Sequence, residues 1–529
     1  MGLPAGPSAR QDVVAVSEPS VAEAREEPAG IAGAVETALG DLVAAEAVER
    51  LWNGDHTLWQ DDPREVADRL GWLHSPAEMD DRVGEIESFA GGAASNGITR
   101  VVVVGMGGSS LFPEVMASTF TDGARGLPLH VLDSTDPAAV ARIADTPDVA
   151  ETLFVVASKS GTTIETRSHL DYFWNLVPDP SRFVAITDPG TPLAALARDR
   201  GFRAVIENRP DIGGRFSALS HFGLVPAALV GVDLTALLAE AHAMLAACRR
   251  PVHENPGARL AAFVAAAARS GRDKLTFRID PTVEAFGSWL EQLLAESTGK
   301  NGRGILPVTG EPARPAANYG PDRVFATVGR AVVEGVAEAG HPVVGIPLDD
   351  PHRLGGEVVR WEVATALAGY LLGVNPFDQP DVTAAKEATS RVLDEGLPEI
   401  EEVPLVALLE LVTPGDYLAV QAYVDPGSEL AGALTTAAYA VGERFGVATT
   451  VGIGPRYLHS TGQFHKGGPS SGVFVQVVGD DPHDVEIPGR PYGFSMLKQA
   501  QAAGDLLALH DAGLRAGRVT ADALLDAAR

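Results

Sequence analysis

The sequence holds one cysteine, Cys248, so no disulfide can form within the chain, and an oxidising compartment is not expected. Cys248 sits in an Ala/Leu-rich stretch and reads as a small buried hydrophobe rather than a nucleophile. Long apolar runs are also missing: none reaches the roughly 18 residues that span a bilayer. The first residues lack a basic region followed by an apolar block, the pattern of a secretory signal. Basic residues are scarce, 41 Lys and Arg against 70 Asp and Glu, and the net charge of −29 argues against nonspecific binding to nucleic acid or an anionic membrane. A cytoplasmic protein with no nucleic-acid and no membrane partner is expected. What is present, 45% hydrophobic and 21% charged residues, suits globular cores.

At 529 residues the chain exceeds one ordinary core and implies two or three domains. Residues 1–40 hold no aromatic residue, are rich in Ala, Pro and Glu, and read as a tail that is disordered over its first 30 or so positions. Residues 41–95 space Leu51, Trp52, Leu58, Trp59, Leu70 and Trp72 among charges, as amphipathic helices do. Short apolar runs then alternate with helical stretches, beginning with Val101-Val102-Val103-Val104 and continuing through 129–132, 153–156 and 183–186. A second set runs from Lys274-Leu275-Thr276-Phe277 to Val473-Phe474-Val475-Gln476-Val477-Val478. Strands alternating with helices predict an α/β fold of two doubly wound domains, 96–250 and 251–529, the second carrying a C-terminal extension. Each would have a mainly parallel central sheet with helices on both faces.

Two motifs follow predicted strands. Gly105-Met106-Gly107-Gly108-Ser109-Ser110 comes directly after the valine run. It suits either a tight strand-to-helix turn or a backbone that approaches an anion closely. Ser158-Lys159-Ser160-Gly161-Thr162-Thr163-Ile164-Glu165-Thr166 places five Ser and Thr hydroxyls where a predicted helix begins. Capping needs one hydroxyl, so the excess points to a phosphate cradle at the helix N-terminus. No Gly-Lys-Ser/Thr closes it, which excludes a P-loop and favours a phosphorylated sugar over a nucleotide. No His/Asp/Glu cluster has convincing metal-ligand spacing, so neither metal nor cofactor is expected.

Together these two motifs resemble the sugar-isomerase (SIS) fold. Gly213-Gly214-Arg215-Phe216-Ser217, Gln292-Leu293-Leu294-Ala295-Glu296-Ser297-Thr298-Gly299-Lys300, and Asn375-Pro376-Phe377-Asp378-Gln379-Pro380-Asp381-Val382 followed by Lys386 resemble, in order, segments of glucose-6-phosphate isomerases. A Gly-Gln-His segment that commoner members carry between the glutamate and the lysine is missing. His459-Ser460-Thr461-Gly462-Gln463-Phe464-His465-Lys466-Gly467-Gly468 appears after the lysine instead, which is similar to the isomerase part of fused transaldolase–glucose-6-phosphate isomerases. Only the short helical region 41–95 precedes the first sheet, so a transaldolase part is not expected.

The resemblance implies interconversion of glucose 6-phosphate and fructose 6-phosphate through a cis-enediolate, a step of glycolysis and gluconeogenesis. It implies Glu296 as the base, Arg215 as the stabiliser of enediolate charge, and Lys386 with a histidine for ring opening; His465 is the preferred histidine and His459 the alternative. Gly108, Ser109, Ser158, Lys159, Ser160, Gly161, Thr162 and Thr163 would bind the sugar phosphate, with Gln292 and Gln379 nearby. A homodimer is implied as well. A broader phosphoglucose/phosphomannose isomerase and a non-catalytic sugar-phosphate sensor are the alternatives.

Overall fold

The computed structural model describes residue 21, residues 23–121 and residues 126–529. Val101 and Val103 are buried in one apolar core, and Val102 and Val104 in a second, on the opposite face of the same strand. A strand covered on both sides calls for an unbroken apolar run. Strand β1 spans Arg25–Glu27; β2 Arg100–Val104, β3 Leu129–Leu132, β4 Thr152–Ala157, β5 Phe183–Thr187 and β6 Ala204–Glu207 follow. The next strands are β7 Lys274–Ile279, β8 Leu306–Val308, β9 Arg323–Val328 and β10 Val343–Ile346, and the last β11 Tyr417–Tyr423, β12 Ala448–Ile453, β13 Gly472–Val478 and β14 Arg515–Arg518.

The first sheet is parallel throughout, in the order β3-β2-β4-β5-β6. Helix Leu111–Thr119, after β2, buries Phe112, Val115 and Met116 in the core of Val101 and Val103. Helix Ile164–Leu176, after β4, buries Leu170 and Phe173 on the other face. The chain thus reverses direction across the sheet between β2 and β4, and the crevice at their carboxyl ends is where open parallel sheets bind ligands. Both glycine- and hydroxyl-rich motifs lie there. The second sheet, β1-β10-β9-β7-β8, is parallel except for the antiparallel edge strand β1. One apolar core joins it to the first sheet through helices Pro256–Arg269 and Leu354–Leu372.

Two expectations change. The tail assigned to 1–40 contains ordered structure: β1 pairs with β10, and helix Ala32–Ala44 buries Val35, Ala38, Leu39 and Leu42. Those four sit at helical spacing, a stripe that average composition over 40 residues conceals; residues 1–20 and 22 lie outside the described residues. The single unit expected over 251–529 divides in two, because β11–β14 form a separate parallel sheet in the order β12-β11-β13-β14 with its own core. Apolar runs reveal strands but not their partners. Helix Phe494–Asp511 of this third unit packs on helix Val382–Glu395. The two approach so closely at Gly504 that a Cβ there would lie 2.7 Å from the Thr389 amide nitrogen. Among the described residues no helix is long and apolar enough to cross a membrane.

Candidate active site

The two loops after β2 and β4 open onto a cleft of about 520 Å³. Its floor is set by glycines. Gly107 adopts φ +56°, and a Cβ there would lie 2.7 Å from Gln292 Nε2 and 3.0 Å from the His459 carbonyl oxygen. A Cβ on Gly108 would lie 1.9 Å from the Gly214 carbonyl oxygen. Both positions therefore require glycine, and they bring the 213–216 turn, the helix carrying Gln292 and the 456–459 turn onto one spot.

Helix Phe286–Thr298 presents Gln292 and Glu296 one turn apart on one face. Gln292 Nε2 donates to Glu296 Oε2 at 3.2 Å and to the His459 carbonyl at 2.9 Å. Glu296 Oε1 stands 3.6 Å from Arg215 Nη1, with both side chains buried. Arg215 is fixed on every side: Nε donates to Ser297 Oγ at 2.8 Å, and Nη2 to the carbonyls of Pro376 at 2.5 Å and Asp378 at 2.8 Å. Burial lowers its proton affinity and the Glu296 charge opposes that, but a guanidinium stays charged in any protein. Lys300, four residues beyond Glu296, donates to the Asn375 carbonyl at 2.5 Å and pairs with the Asp378 carboxylate at 2.7 Å. Burial first, and then the neighbouring Arg215 charge, push it down to about 7. Arg215 and Lys300 together brace the 375–378 segment that leads to Gln379 and Lys386.

The hydroxyl-rich loop is shaped by its own side chains. Ser158 Oγ accepts from the Gly161 amide at 3.1 Å and lies 3.0 Å from Thr163 Oγ1. Ser160 Oγ accepts from the Thr162 amide at 3.2 Å. Gly161, at φ +67°, reverses the chain where a Cβ would meet Leu193 at 2.9 Å. The side chain of Thr163 does not cap helix Ile164–Leu176, so the first amides of that helix keep their hydrogen-bonding capacity for an anion. Lys159 Nζ is held by the Asp188 carboxylate at 2.5 Å and the Pro210 carbonyl at 2.7 Å.

The cleft is lined by Gly108, Ser109, Ser158, Lys159, Ser160, Thr163, Arg215, Gln292, Glu296, Gln379 and Lys386, so the structure brings most of the expected site residues together. Gly161 shapes the loop from behind, and Thr162 lines an adjoining cavity of about 290 Å³. His465 does not reach the cleft. It is enclosed by Tyr417, Tyr457 and Phe474, lies 2.9 Å through Nδ1 from Tyr417 Oη, and is pushed down to about 3 by burial and then by the Lys466 charge. It is a neutral core residue, and the sequence preference for it over His459 is corrected. His459 ends the short turn Arg456–His459 after β12 and lines the cleft beside Glu296 and Lys386. Its Nε2 lies 3.0 Å from Glu165 Oε1. Burial acts to raise the Glu165 carboxyl, but His459 beside it reverses the sign, and the net direction is down.

Sequence reading overlooked Glu165, Lys300, Gln501 and Arg69 as functional candidates. Glu165 and Lys300 stood inside quoted motifs, and their place there was the available signal. Arg69 reaches the cleft from the helical region before the first sheet, and Gln501 comes from the third sheet unit; neither carried a motif. Among the described residues, no group of three or more His, Cys, Asp or Glu is placed to hold a metal ion.

This arrangement has relatives. The phosphoglucose isomerase family pattern matches residues 65–305, which include Arg215, Glu296 and the hydroxyl loop but not Lys386, His459 or Gln501. A glucose-6-phosphate isomerase of Synechococcus sp. (strain JA-3-3Ab) is 30% identical over 372 residues, 58% of this chain and 70% of the relative. One from Rubrobacter xylanophilus is 31% identical over 361 residues, 56% of this chain and 82% of the relative. The crystal structure of a glucose-6-phosphate isomerase from Chlamydia trachomatis D/UW-3/Cx superposes with a TM-score of 0.58 at 19% identity, over 68% of this chain and 86% of that one, a likeness of fold. At this identity over more than two thirds of the relatives' length, the chain belongs to the glucose-6-phosphate isomerase family.

Proposed function

We propose that this chain interconverts glucose 6-phosphate and fructose 6-phosphate in the cytoplasm by acid–base proton transfer within the cleft between β2 and β4. One observation carries the reading. A buried carboxylate (Glu296), a fixed guanidinium (Arg215), Lys386, the hydroxyl loop and a histidine (His459) that is paired from behind with Glu165 share a single cavity large enough for a six-carbon phosphate.

The phosphate would sit against the 158–163 loop and the amides that open helix Ile164–Leu176, a position where the helix dipole favours an anion. Sugar phosphates arrive largely as rings, so the ring must open first. Glu165 accepts the Nε2 proton of His459, which leaves Nδ1 as the nitrogen free to exchange a proton with the ring oxygen or the anomeric hydroxyl. Lys386 lines the same cleft and supports the same step. In the open aldose, Glu296 takes the proton from C2, and the electron pair moves to the C1 carbonyl oxygen. Arg215, desolvated and unable to rotate, meets the enediolate charge that develops. After a proton moves between the two oxygens, Glu296 returns its proton to C1 and the ketose forms.

A homodimer is proposed as well, on the resemblance to glucose-6-phosphate isomerases. Purified protein added to fructose 6-phosphate, coupled to glucose-6-phosphate dehydrogenase, tests the assignment; no turnover by the folded protein would refute it. A parallel arm with mannose 6-phosphate measures substrate breadth.

A further inference from the structure

We propose that Gln501 is a positioning residue for ring opening, holding the Glu165 carboxylate against His459, with Thr135 fixing the orientation of its amide. The inference rests on the reading of His459 as the ring-opening group. Gln501 is 2% exposed. Its Nε2 donates at 2.7 Å to Glu165 Oε1, the same oxygen that faces His459 Nε2. Its Oε1 accepts from Thr135 Oγ1 at 2.7 Å. An ionised carboxylate only accepts, so the amide NH₂ must point at Glu165, and the Thr135 hydroxyl completes the other end. No free rotation of the amide satisfies both partners.

The geometry serves His459 in two ways. Two donors on one carboxylate oxygen locate that oxygen, and through it the plane of the imidazole. The donor is also neutral. A lysine or arginine at position 501 would pair with Glu165 outright and compete with a protonated His459, whereas an amide stabilises the carboxylate and leaves its charge for the imidazolium. Thr135 and Gln501 are buried, as is Glu165, so loss of the amide would leave the carboxylate short of a fixed donor.

Gln501 is itself held rigidly. Helix Phe494–Asp511 anchors one turn to either side through Lys498, 2.9 Å from the Asp136 carboxylate, and Asp505, which accepts from Tyr457 Oη at 2.6 Å. The third sheet unit thus delivers both the histidine and the brace for its partner.

The test is steady-state kinetics of the full chain on two substrates: glucose 6-phosphate, and its 4,5-dideoxy analogue, which cannot close a furanose or pyranose ring and is followed by proton exchange at C2 in deuterium oxide. Gln501→Met is expected to lower kcat on glucose 6-phosphate about tenfold with KM within about twofold, and to leave the acyclic analogue within about twofold. Thr135→Val should give the same pattern at about threefold. Equal losses on both substrates, or no loss on either, overturn the inference. If Gln501→Met fails to fold, Thr135→Val decides on the same criterion. His459→Ala separates the two layers. If it shows no cyclic-selective loss, the ring-opening reading and this inference fall together. If it does and neither Gln501→Met nor Thr135→Val follows it, only the positioning role falls.

Discussion

His459 Nε2 lies 3.0 Å from Glu165 Oε1, although 294 residues separate them and they belong to different sheets. Glu165 sits in the first turn of the helix that follows β4, beside the hydroxyl loop; His459 ends the turn that follows β12. The contact is one of several that join the third sheet unit to the first. Arg456, three residues before His459, reinforces it by pairing with Glu114 and, at 3.2 Å, with Asp133.

Removing the carboxylate proposed to shuttle the proton should abolish most turnover without unfolding the protein. Glu296→Gln keeps the shape and the hydrogen-bonding capacity toward Gln292, and kcat is expected to fall at least ~10²-fold. The coupled assay, with circular dichroism to confirm the fold, is the measurement; near-normal turnover would remove Glu296 from the role.

The two histidines should separate cleanly. His459→Ala is expected to impair cyclic substrate far more than the acyclic analogue, with little change in melting temperature. His465→Ala opens a hole among Tyr417, Tyr457 and Phe474 and leaves Tyr417 Oη without its partner, so it should cost about 2–4 kcal/mol of stability. Thermal melts and the substrate ratio together distinguish the two; a cyclic-selective loss in His465→Ala would reverse the assignment.

Lys300 links stability to pH. Its folded value, about 7, lies below the ordinary lysine value of 10.5, so the unfolded chain binds more protons between those limits. Stability rises with pH wherever the unfolded state holds more protons. The cost of burying the ammonium is fully present below pH 7 and is relieved as pH climbs. The melting temperature of the wild type minus that of Lys300→Met should therefore increase from pH 7 to pH 9. A difference that stays flat or shrinks would show that Lys300 is not depressed.

Gly108→Ala tests the close packing under the cleft. A methyl group there would meet the Gly214 carbonyl at 1.9 Å, backbone against side chain, and the 213–216 turn must shift to admit it. Arg215 moves with that turn. Misplacing a charge-stabilising group costs up to about 10²-fold, so kcat should drop by at least tenfold. A variant with unchanged kcat would mean the turn relaxes without displacing Arg215.

Much of this was legible because the signals are local. A strand buried on both faces must be apolar at every position, so Val101–Val104 announced itself. Hydroxyls in excess of what a helix cap uses marked the loop at 158–163. Glu296, Arg215 and Lys386 were found because each is embedded in a motif whose neighbours are also fixed by the site. Partnership between distant segments was not legible. Leu418, Val420 and Ala422 look the same whether β11 joins the second sheet or, as found, heads a third. His459 and His465 share one Gly/Ser/Thr-rich stretch, and only the turn at 456–459 followed by the short helix Gly462–Gly467 sends one to the cleft and the other to the core. Gln501 is one of two glutamines on its helix, and nothing nearby in the chain points to Glu165.

Placing the histidine and its brace in the last-made sheet also sets an order at the ribosome. When residue 400 has been added, the phosphate loop, Arg215 and Glu296 already exist, while helix Val382–Glu395 still lacks helix Phe494–Asp511 beneath it. Domains generally fold from the N-terminus as synthesis proceeds. The phosphate loop and the base are therefore synthesised first, and the cleft floor waits for the 456–459 turn, whose His459 carbonyl receives Gln292.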